Sequence, residues 1–130
     1  MTNHKILIVD DEEHLRELVQ ACLEDLAGWQ TYCAASGEDC LQLLQTESVD
    51  AILLDISMPG MDGMMVYERI KATPQHQSIP VIFLTAKVLP SDRAKFIQIG
   101  VTGIIPKPID PATLVFEIAE ILGWDSGNFD

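Results

Sequence analysis

Residues 51–63 read AILLDISMPGMDG, and this stretch decides how the chain folds. Its first four residues are apolar and the run stops abruptly at Asp55, which is typical of a short, fully buried strand. Pro59 and Gly60 then indicate a loop, and a helix is expected from there to about Ala72. Parallel sheets are built from such units, because the helix that follows each strand covers one face of the sheet.

The same unit recurs along the rest of the chain. Short apolar runs predict the other strands, at residues 5–9, 29–34, 81–84 and 103–106. Between the first two runs, apolar residues recur at the spacing of one helix face, namely Leu15, Leu18, Val19, Cys22, Leu23 and Leu26. The last helix is expected to direct inward Leu114, Val115, Ile118 and Leu122. Five strands alternating with five helices predict an α/β fold, a doubly wound five-stranded parallel sheet with helices on both faces. The strand order 2-1-3-4-5 is expected by analogy with a common arrangement of such sheets.

Capping residues indicate where several helices begin and end. Ser36 is expected to open the second helix through a capping box. Ser91 is expected to cap the fourth helix, which ends at Gly100 in the position of a left-handed C-terminal glycine. Asp110 as N-cap and Pro111 at the first helical position open the fifth helix.

The composition restricts the class of protein. The chain has 130 residues, of which 48% are hydrophobic and 22% charged, the balance of a soluble single-domain protein. Its apolar runs are far shorter than the ~20 residues of a membrane helix, and its first residues lack the apolar core of a signal peptide. A cytoplasmic protein without membrane contact is therefore expected.

The net charge of −12 argues against direct binding of nucleic acid, which needs a basic surface. The three cysteines have no C-x-x-C spacing and are expected to be buried thiols.

Polar residues of particular kinds follow four of the strands. Asp10 and Asp11 follow the first, Asp55 the third, Thr85 the fourth and Lys107 the fifth. Because the carboxyl ends of parallel strands share one edge of the sheet, these side chains are expected to converge on one site. Three carboxylates in one place raise one another's pKa values or require a cation. Hard oxygen ligands of this kind suit Mg²⁺ better than Zn²⁺ or copper.

Four motifs at these strand ends resemble the receiver domains of response regulators. They are Val9-Asp10-Asp11-Glu12, Leu53-Leu54-Asp55-Ile56-Ser57-Met58-Pro59-Gly60-Met61-Asp62-Gly63, Leu84-Thr85-Ala86 and Pro106-Lys107-Pro108. Each motif alone is weak, but all four occur in order and each lies at a strand end. The resemblance covers roughly residues 4–123. It implies a flavodoxin-like or CheY-like fold and a phosphoacceptor of two-component signal transduction, with a cis peptide bond before Pro108.

The resemblance also assigns roles to the acidic residues. It implies that Asp55 takes a phosphoryl group from a phosphohistidine on a sensor histidine kinase or a phosphotransfer protein. Asp11 would bind Mg²⁺ directly and Asp10 mainly through water, with Asp55 and the backbone carbonyl of Ser57 supplying further oxygens.

Thr85 and Lys107 are expected, by the same resemblance, to contact the phosphoryl oxygens. Such a domain is not an enzyme for a separate substrate, since it catalyses only its own phosphorylation and dephosphorylation. Phosphorylation is expected to switch binding to a downstream target protein. A homodimer through the fourth helix, fifth strand and fifth helix is a further expectation.

The chain departs from the family pattern at one notable position. Family members often carry Tyr or Phe three residues before the lysine, where this chain has Ile104. Either the conformational change is smaller or the output surface is read through loop order, and the sequence leaves both open. Ser57 and Lys87 would flank the path of the hydrolytic water, and no phosphoryl lifetime is predicted from them.

Three functions from different classes stay open. The receiver domain is expected over residues 1–123 with a short polar tail, 124–130, as a stand-alone regulator. Alternatively, the chain is a receiver cut from a longer protein such as a hybrid histidine kinase. The third reading is an enzyme on a similar scaffold, either an aspartate-nucleophile phosphatase or a flavin protein. A dehalogenase-type phosphatase needs an Asp where this chain has Ser57, and the acidic run 10–13 would repel the phosphate of FMN.

Overall fold

The computed structural model describes residues 3–86 and 89–124, and it contains five parallel strands in a single sheet. The strands are β1 Lys5–Val9, β2 Gln30–Ala34, β3 Ala51–Asp55, β4 Val81–Thr85 and β5 Gly103–Pro106. Their order in the sheet is β2-β1-β3-β4-β5. The predicted fold class and strand order are therefore confirmed.

A helix follows each strand. The helices are α1 Glu13–Ala27, α2 Gly37–Leu44, α3 Gly63–Ala72, α4 Pro90–Gln98 and α5 Leu114–Leu122. Every strand pair in the sheet is parallel, so each helix carries the chain back to the edge where the next strand begins.

The sheet separates two hydrophobic cores, and alternate residues of one strand face opposite cores. On β4, Val81 and Phe83 pack on one side, whereas Ile82 and Leu84 pack on the other. All four are fully buried, as expected for a strand in the middle layer of three. Thr85 continues the first series by alternation and lies at the end of the strand, almost wholly buried.

The ends of three helices agree with the sequence patterns. Ser36 caps α2, because its hydroxyl accepts a hydrogen bond from the amide of Asp39 at 3.1 Å. Gly28, after α1, adopts the left-handed conformation with φ of 70°, and Gly100, after α4, does so with φ of 96°. Both glycines therefore end their helices as C-terminal glycines commonly do.

Two predicted helix starts are wrong. α4 begins at Pro90 with Leu89 at the N-cap position, so Ser91 lies within the first helical turn. α5 begins only at Leu114, although Asp110 and a proline precede it. The carboxylate of Asp110 accepts a hydrogen bond from the amide of Ala112 at 2.9 Å, and its carbonyl accepts from the amide of Leu114 at 3.0 Å. Asp110 therefore caps a turn that leads into the regular helix.

Two leucines predicted for the inner face of α1 are exposed. Leu18 has 39% of its surface accessible and Leu26 has 56%, whereas Val19 and Leu23 are fully buried. Leu18 precedes Val19 and is rotated from it by about 100° around the helix axis, which takes it to the margin of the buried stripe. Leu26 lies in the last turn of the helix.

The aromatic side chain of Trp124 packs against the start of the domain. Its ring stacks on His4 with centroids 3.6 Å apart, and it meets Trp29 edge-on at 5.1 Å. Trp124 belongs to the segment predicted as a polar tail, whose remaining residues, 125–130, lie outside the described part of the chain. In residues 3–86 and 89–124, no helix is long and apolar enough to cross a membrane.

Candidate functional site

The strand register brings the predicted site residues to one edge of the sheet. Val9 pairs with Leu54, so Asp10 follows β1 beside Asp55 at the end of β3. One carboxylate oxygen from each of Asp10, Asp11 and Asp55 lies within 4.8 Å of the other two. The convergence expected from the sequence is present in the structure, and the roles of the individual residues stay predictions.

Asp10 is fully buried, and neighbouring groups bind its polar atoms on every side. Its amide donates to the carbonyl of Ala34 at 3.2 Å. Its carboxylate accepts from the amide of Glu12 at 2.9 Å and from the ammonium of Lys107 at 2.9 Å. A charge without access to solvent requires such partners.

Asp55 is the last residue of β3 and is 2% exposed. Its Oδ1 accepts from the ammonium of Lys107 at 3.1 Å and from the amide of Ser57 at 3.3 Å. The loop after Asp55 folds tightly onto the start of α3. A Cβ atom at Gly63 would lie 2.6 Å from the Cα of Ile56 and collide with the carbonyl oxygen of Asp55. Glycine at position 63 therefore permits the close approach that holds the Asp55 loop.

Lys107 reaches across the sheet edge from the loop after β5. Its ammonium lies between the carboxylates of Asp10 and Asp55 and is only partly exposed. The peptide bond between Lys107 and Pro108 is cis, as the resemblance implies. The backbone amide of Lys107 donates to the carbonyl of Thr85 at 2.9 Å, which ties the lysine loop to the end of β4.

The pKa values of the site reflect its crowding of like charges. Burial raises the pKa of Asp55 above its ordinary value, and the negative charge of Asp10 raises it further, against the opposing effect of Lys107. Burial by itself would lower the pKa of Lys107. Its hydrogen bonds to Asp10 and Asp55 and the attraction of their negative charges together outweigh burial, so the net pKa is raised and the ammonium stays charged at neutral pH.

The other residues singled out from the sequence differ in their burial. Thr85 is 1% exposed and ends β4 opposite Pro106 of β5. Asp11 and Ser57 are both exposed to solvent. Ile104, at the position where the resemblance leads one to expect an aromatic ring, is half-buried and pairs with Phe83 in the neighbouring strand. Lys87 lies outside the described residues.

The donor set fits a divalent cation that prefers oxygen ligands. Three carboxylates within 4.8 Å of one another supply hard, anionic oxygens, and Asp11 is open to water that would complete the coordination of Mg²⁺. Two of the three histidines lie elsewhere, since His76 contacts the carbonyl of Leu44 and His4 stacks on Trp124.

One residue that contacts the site was not predicted from the sequence. Arg16, on α1, donates through Nη1 to the backbone carbonyl of Asp10 at 2.8 Å. A weak signal was available, because a cation near the N-terminal end of a helix opposes the helix dipole and calls for an explanation.

Comparison with known proteins gives a consistent result. The model of the response regulator receiver domain matches residues 6–119. Response regulator Rre1 of Synechocystis is 34% identical over 125 residues, which cover 96% of this chain and 54% of that protein. The transcriptional regulatory protein CpxR of Escherichia coli is 38% identical over 92% of this chain and 49% of its own length. The chain thus spans about half the length of these curated relatives.

Solved structures agree in fold. Chemotaxis response regulator CheY4 of Vibrio cholerae is 31% identical, with a TM-score of 0.85, over 92% of this chain and 99% of that one. The receiver domain of the sensor histidine kinase PA1611 from Pseudomonas aeruginosa is 29% identical, with a TM-score of 0.81, over 94% of this chain and 99% of that one. The latter structure has a magnesium ion coordinated in its active-site cleft.

Proposed function

The chain belongs to the family of response regulator receiver domains, and from that premise we propose that it is a phosphorylation switch whose phosphoacceptor is Asp55. Receiver domains act in two-component signalling, where they interact with histidine kinases and downstream targets. The donor proposed for this chain is a phosphohistidine on a sensor histidine kinase or a phosphotransfer protein.

One observation carries the proposal. The ammonium of Lys107 contacts Asp55 at 3.1 Å and Asp10 at 2.9 Å, within a cluster of three carboxylates. A structural ion pair needs one carboxylate for one ammonium, so the cluster contains negative charge that Lys107 does not balance. Sites that bind a cation and a phosphoryl group require this charge arrangement.

Each residue of the site has a defined task in the proposed reaction. A carboxylate oxygen of Asp55 forms the new bond to phosphorus while the bond between phosphorus and the donor imidazole nitrogen breaks. Lys107 then turns its positive charge from the carboxylates to the phosphoryl oxygens, and the hydroxyl of Thr85 donates a hydrogen bond to them. Asp10, Asp11, Asp55 and the carbonyl of Ser57 are the proposed ligands of Mg²⁺, which would neutralise charge on the transferred group.

The proposed output is a protein contact that depends on phosphorylation. The chain carries a net charge of −12, which disfavours direct contact with nucleic acid by this domain. Exposed apolar side chains on α4 and α5, Ile97 and Phe116, support a homodimer or target contact through α4, β5 and α5. Light scattering with and without acetyl phosphate tests the dimer, and a molecular mass that stays monomeric in both conditions would remove it. A cytoplasmic location is part of the proposal.

The decisive experiment is intact-mass spectrometry after incubation with acetyl phosphate, with and without Mg²⁺. Wild type is expected to gain one phosphoryl group only when Mg²⁺ is present, and Asp55→Asn is expected to gain none. Asp62→Asn is the matched control, because Asp62 only caps α3 and asparagine caps a helix equally well. If the wild type gains no phosphoryl group in any condition, or Asp55→Asn gains one, then Asp55 is not the acceptor.

The same protein preparation tests the enzyme readings. A phosphatase would turn over a small phosphate ester many times per molecule, and a flavin protein would be yellow after purification. A single stoichiometric modification without turnover is expected.

A further inference from the structure

Arg16 makes a hydrogen bond near the site that is not an ion pair. It is half-buried on α1, and its Nη1 donates to the main-chain carbonyl of Asp10 at 2.8 Å. In the described part of the chain, the ion pairs within 4.0 Å involve Lys107, and none involves Arg16. The guanidinium thus lies close to an acidic cluster but binds a neutral carbonyl.

The carbonyl in question belongs to the peptide group that joins Asp10 to Asp11. This peptide is planar, so a bond that fixes its carbonyl also fixes the direction in which the chain leaves Asp10. The amide of Asp10 is held separately, by the carbonyl of Ala34 at 3.2 Å. Arg16 therefore restrains the next peptide group, between Asp10 and Asp11, which lies beyond the end of β1 at Val9.

α1 is well placed to supply this restraint. The backbone amide of Arg16 donates to the carbonyl of Glu12 at 3.1 Å, within the first turns of the helix. Val19 and Leu23, further along the same helix, are fully buried against the sheet. The side chain of Arg16 accordingly extends from a fixed backbone, and its planar head group donates in a fixed direction.

We propose that Arg16 is a positioning residue for the divalent cation, which it affects by holding the Asp10–Asp11 peptide so that both carboxylates meet Asp55. The inference rests on the proposed function, because it assigns a purpose to a geometry that only a cation site requires. Groups that orient metal ligands in this way affect metal affinity by about 10-fold or more when they are removed.

The charge of Arg16 and its hydrogen bond have opposite effects on cation binding. The direction in which the dissociation constant for Mg²⁺ changes therefore tests the inference. A positive charge near the site repels Mg²⁺, so removal of that charge alone would tighten binding. Loss of the hydrogen bond frees the Asp10–Asp11 peptide and would weaken binding. Only a positioning role predicts weaker binding from a variant that has lost a positive charge.

The test is a titration of the full chain with Mg²⁺ at constant ionic strength, in which isothermal titration calorimetry measures the binding. Arg16→Met retains the length of the stem and removes both charge and donor, and we expect its dissociation constant to rise about 10-fold. Arg69→Met is the control, since Arg69 is exposed in the last turn of α3 and its loss changes the net charge equally. The control is expected to bind Mg²⁺ as wild type does, or slightly more tightly.

A second readout separates positioning from general loss of structure. The rate of modification by acetyl phosphate in Arg16→Met should return to the wild-type rate at saturating Mg²⁺, which a damaged fold would not permit. Thermal unfolding without Mg²⁺ checks the fold, and Arg16→Gln replaces the methionine variant if the latter does not fold.

The outcomes are distinct. A dissociation constant for Arg16→Met equal to or below that of wild type overturns the positioning role while the proposed function stands. Failure of both variants to fold makes Arg16 a structural residue and also overturns it. Absence of Mg²⁺ binding by the wild type contradicts the metal site of the proposed function itself.

Discussion

The ammonium of Lys107 lies 2.9 Å from Oδ2 of Asp10, although 97 positions separate the two residues in the chain. The same ammonium contacts Asp55 at 3.1 Å, so one cation balances part of the charge of two buried carboxylates. The site is consequently held together by a group that the proposed reaction requires to move. Sites of this kind sacrifice stability for function, and their stability therefore responds to substitution and to pH.

Asp55→Asn is expected to stabilise the fold in the absence of Mg²⁺. The raised pKa of Asp55 means that the folded state binds its proton more tightly than the unfolded chain does. Ionisation of Asp55 therefore costs stability, and this cost is absent below the ordinary pKa of aspartate and appears as pH rises through the raised pKa. The gain at pH 7 is expected to be about 1 kcal/mol. Urea unfolding at pH 7 and near pH 4 measures it.

The difference between wild type and Asp55→Asn should shrink toward the acidic end of that range. Asp62→Asn, at the cap of α3, serves as a control with no expected gain. An asparagine variant that is less stable than wild type at pH 7, or a gain that does not change with pH, contradicts the electrostatic account.

Gly63→Ala is expected to displace the loop that carries Asp55. The added methyl group would lie 2.6 Å from the Cα of Ile56 and closer still to the carbonyl of Asp55, so backbone must shift. The cost is expected to be about 1–3 kcal/mol, with slower modification by acetyl phosphate. Gly28→Ala is the comparison, because Gly28 has a positive φ but no atom within 4 Å of the added methyl. Normal modification of Gly63→Ala would show that the contact does not position Asp55.

Tyr67→Phe is expected to loosen the end of α4. Tyr67 is 5% exposed, and its hydroxyl donates to the carbonyl of Ile99, the C-cap residue of α4, at 3.2 Å. Loss of this bond leaves a carbonyl without its partner and should cost about 1 kcal/mol. The ring remains to pack edge-on against Phe83, so the core keeps its shape. Hydrogen exchange should become faster at residues 99–101, and urea unfolding measures the global loss.

Tyr32→Phe provides the matched control for this change. The hydroxyl of Tyr32 accepts from Gln30 in an exposed pair, which contributes little because water replaces it. If both variants lose the same free energy of unfolding, the hydrogen bond from Tyr67 to Ile99 stabilises the fold no more than an exposed one does.

Trp124→Ala is expected to lower the free energy of unfolding by about 1–2 kcal/mol. The indole stacks on His4 and meets Trp29 edge-on, so its removal exposes both rings. A double-mutant cycle with His4→Ala should give a coupling of about 1 kcal/mol, measured by urea unfolding. If the two substitutions have additive effects on the free energy of unfolding, the stack contributes nothing beyond burial of the rings. The result also bears on the predicted boundary at residue 123, since a domain that ended there would not need Trp124.

Most of the fold could be predicted from local patterns in the sequence. The short apolar run of Ala51 to Leu54 is typical of a buried strand, and Asp55 after it marks the end of the strand. The first residues of the helices were harder to predict, because the ends of helices depend on competition between caps and turns. Asp110 shows this, since its side chain caps a turn at Ala112 whereas the regular helix begins only at Leu114.

The sequence by itself determined which polar residues meet at the edge of the sheet. Alternation of strands and helices forces parallel pairing, so Asp10, Asp55 and Lys107 lie at strand ends that must share one edge of the sheet. No distance was needed for that conclusion, because it follows from chain direction alone.

Only the tertiary structure decided what each of these side chains binds. The ammonium of Lys107 lies between two carboxylates, and Arg16 donates to the carbonyl of Asp10 rather than to a carboxylate. Such choices depend on differences of about an ångström between groups from separate segments, and on burial that removes water as a competitor. Neither quantity can be obtained from the order of residues, because both arise only once the helices have packed on the sheet.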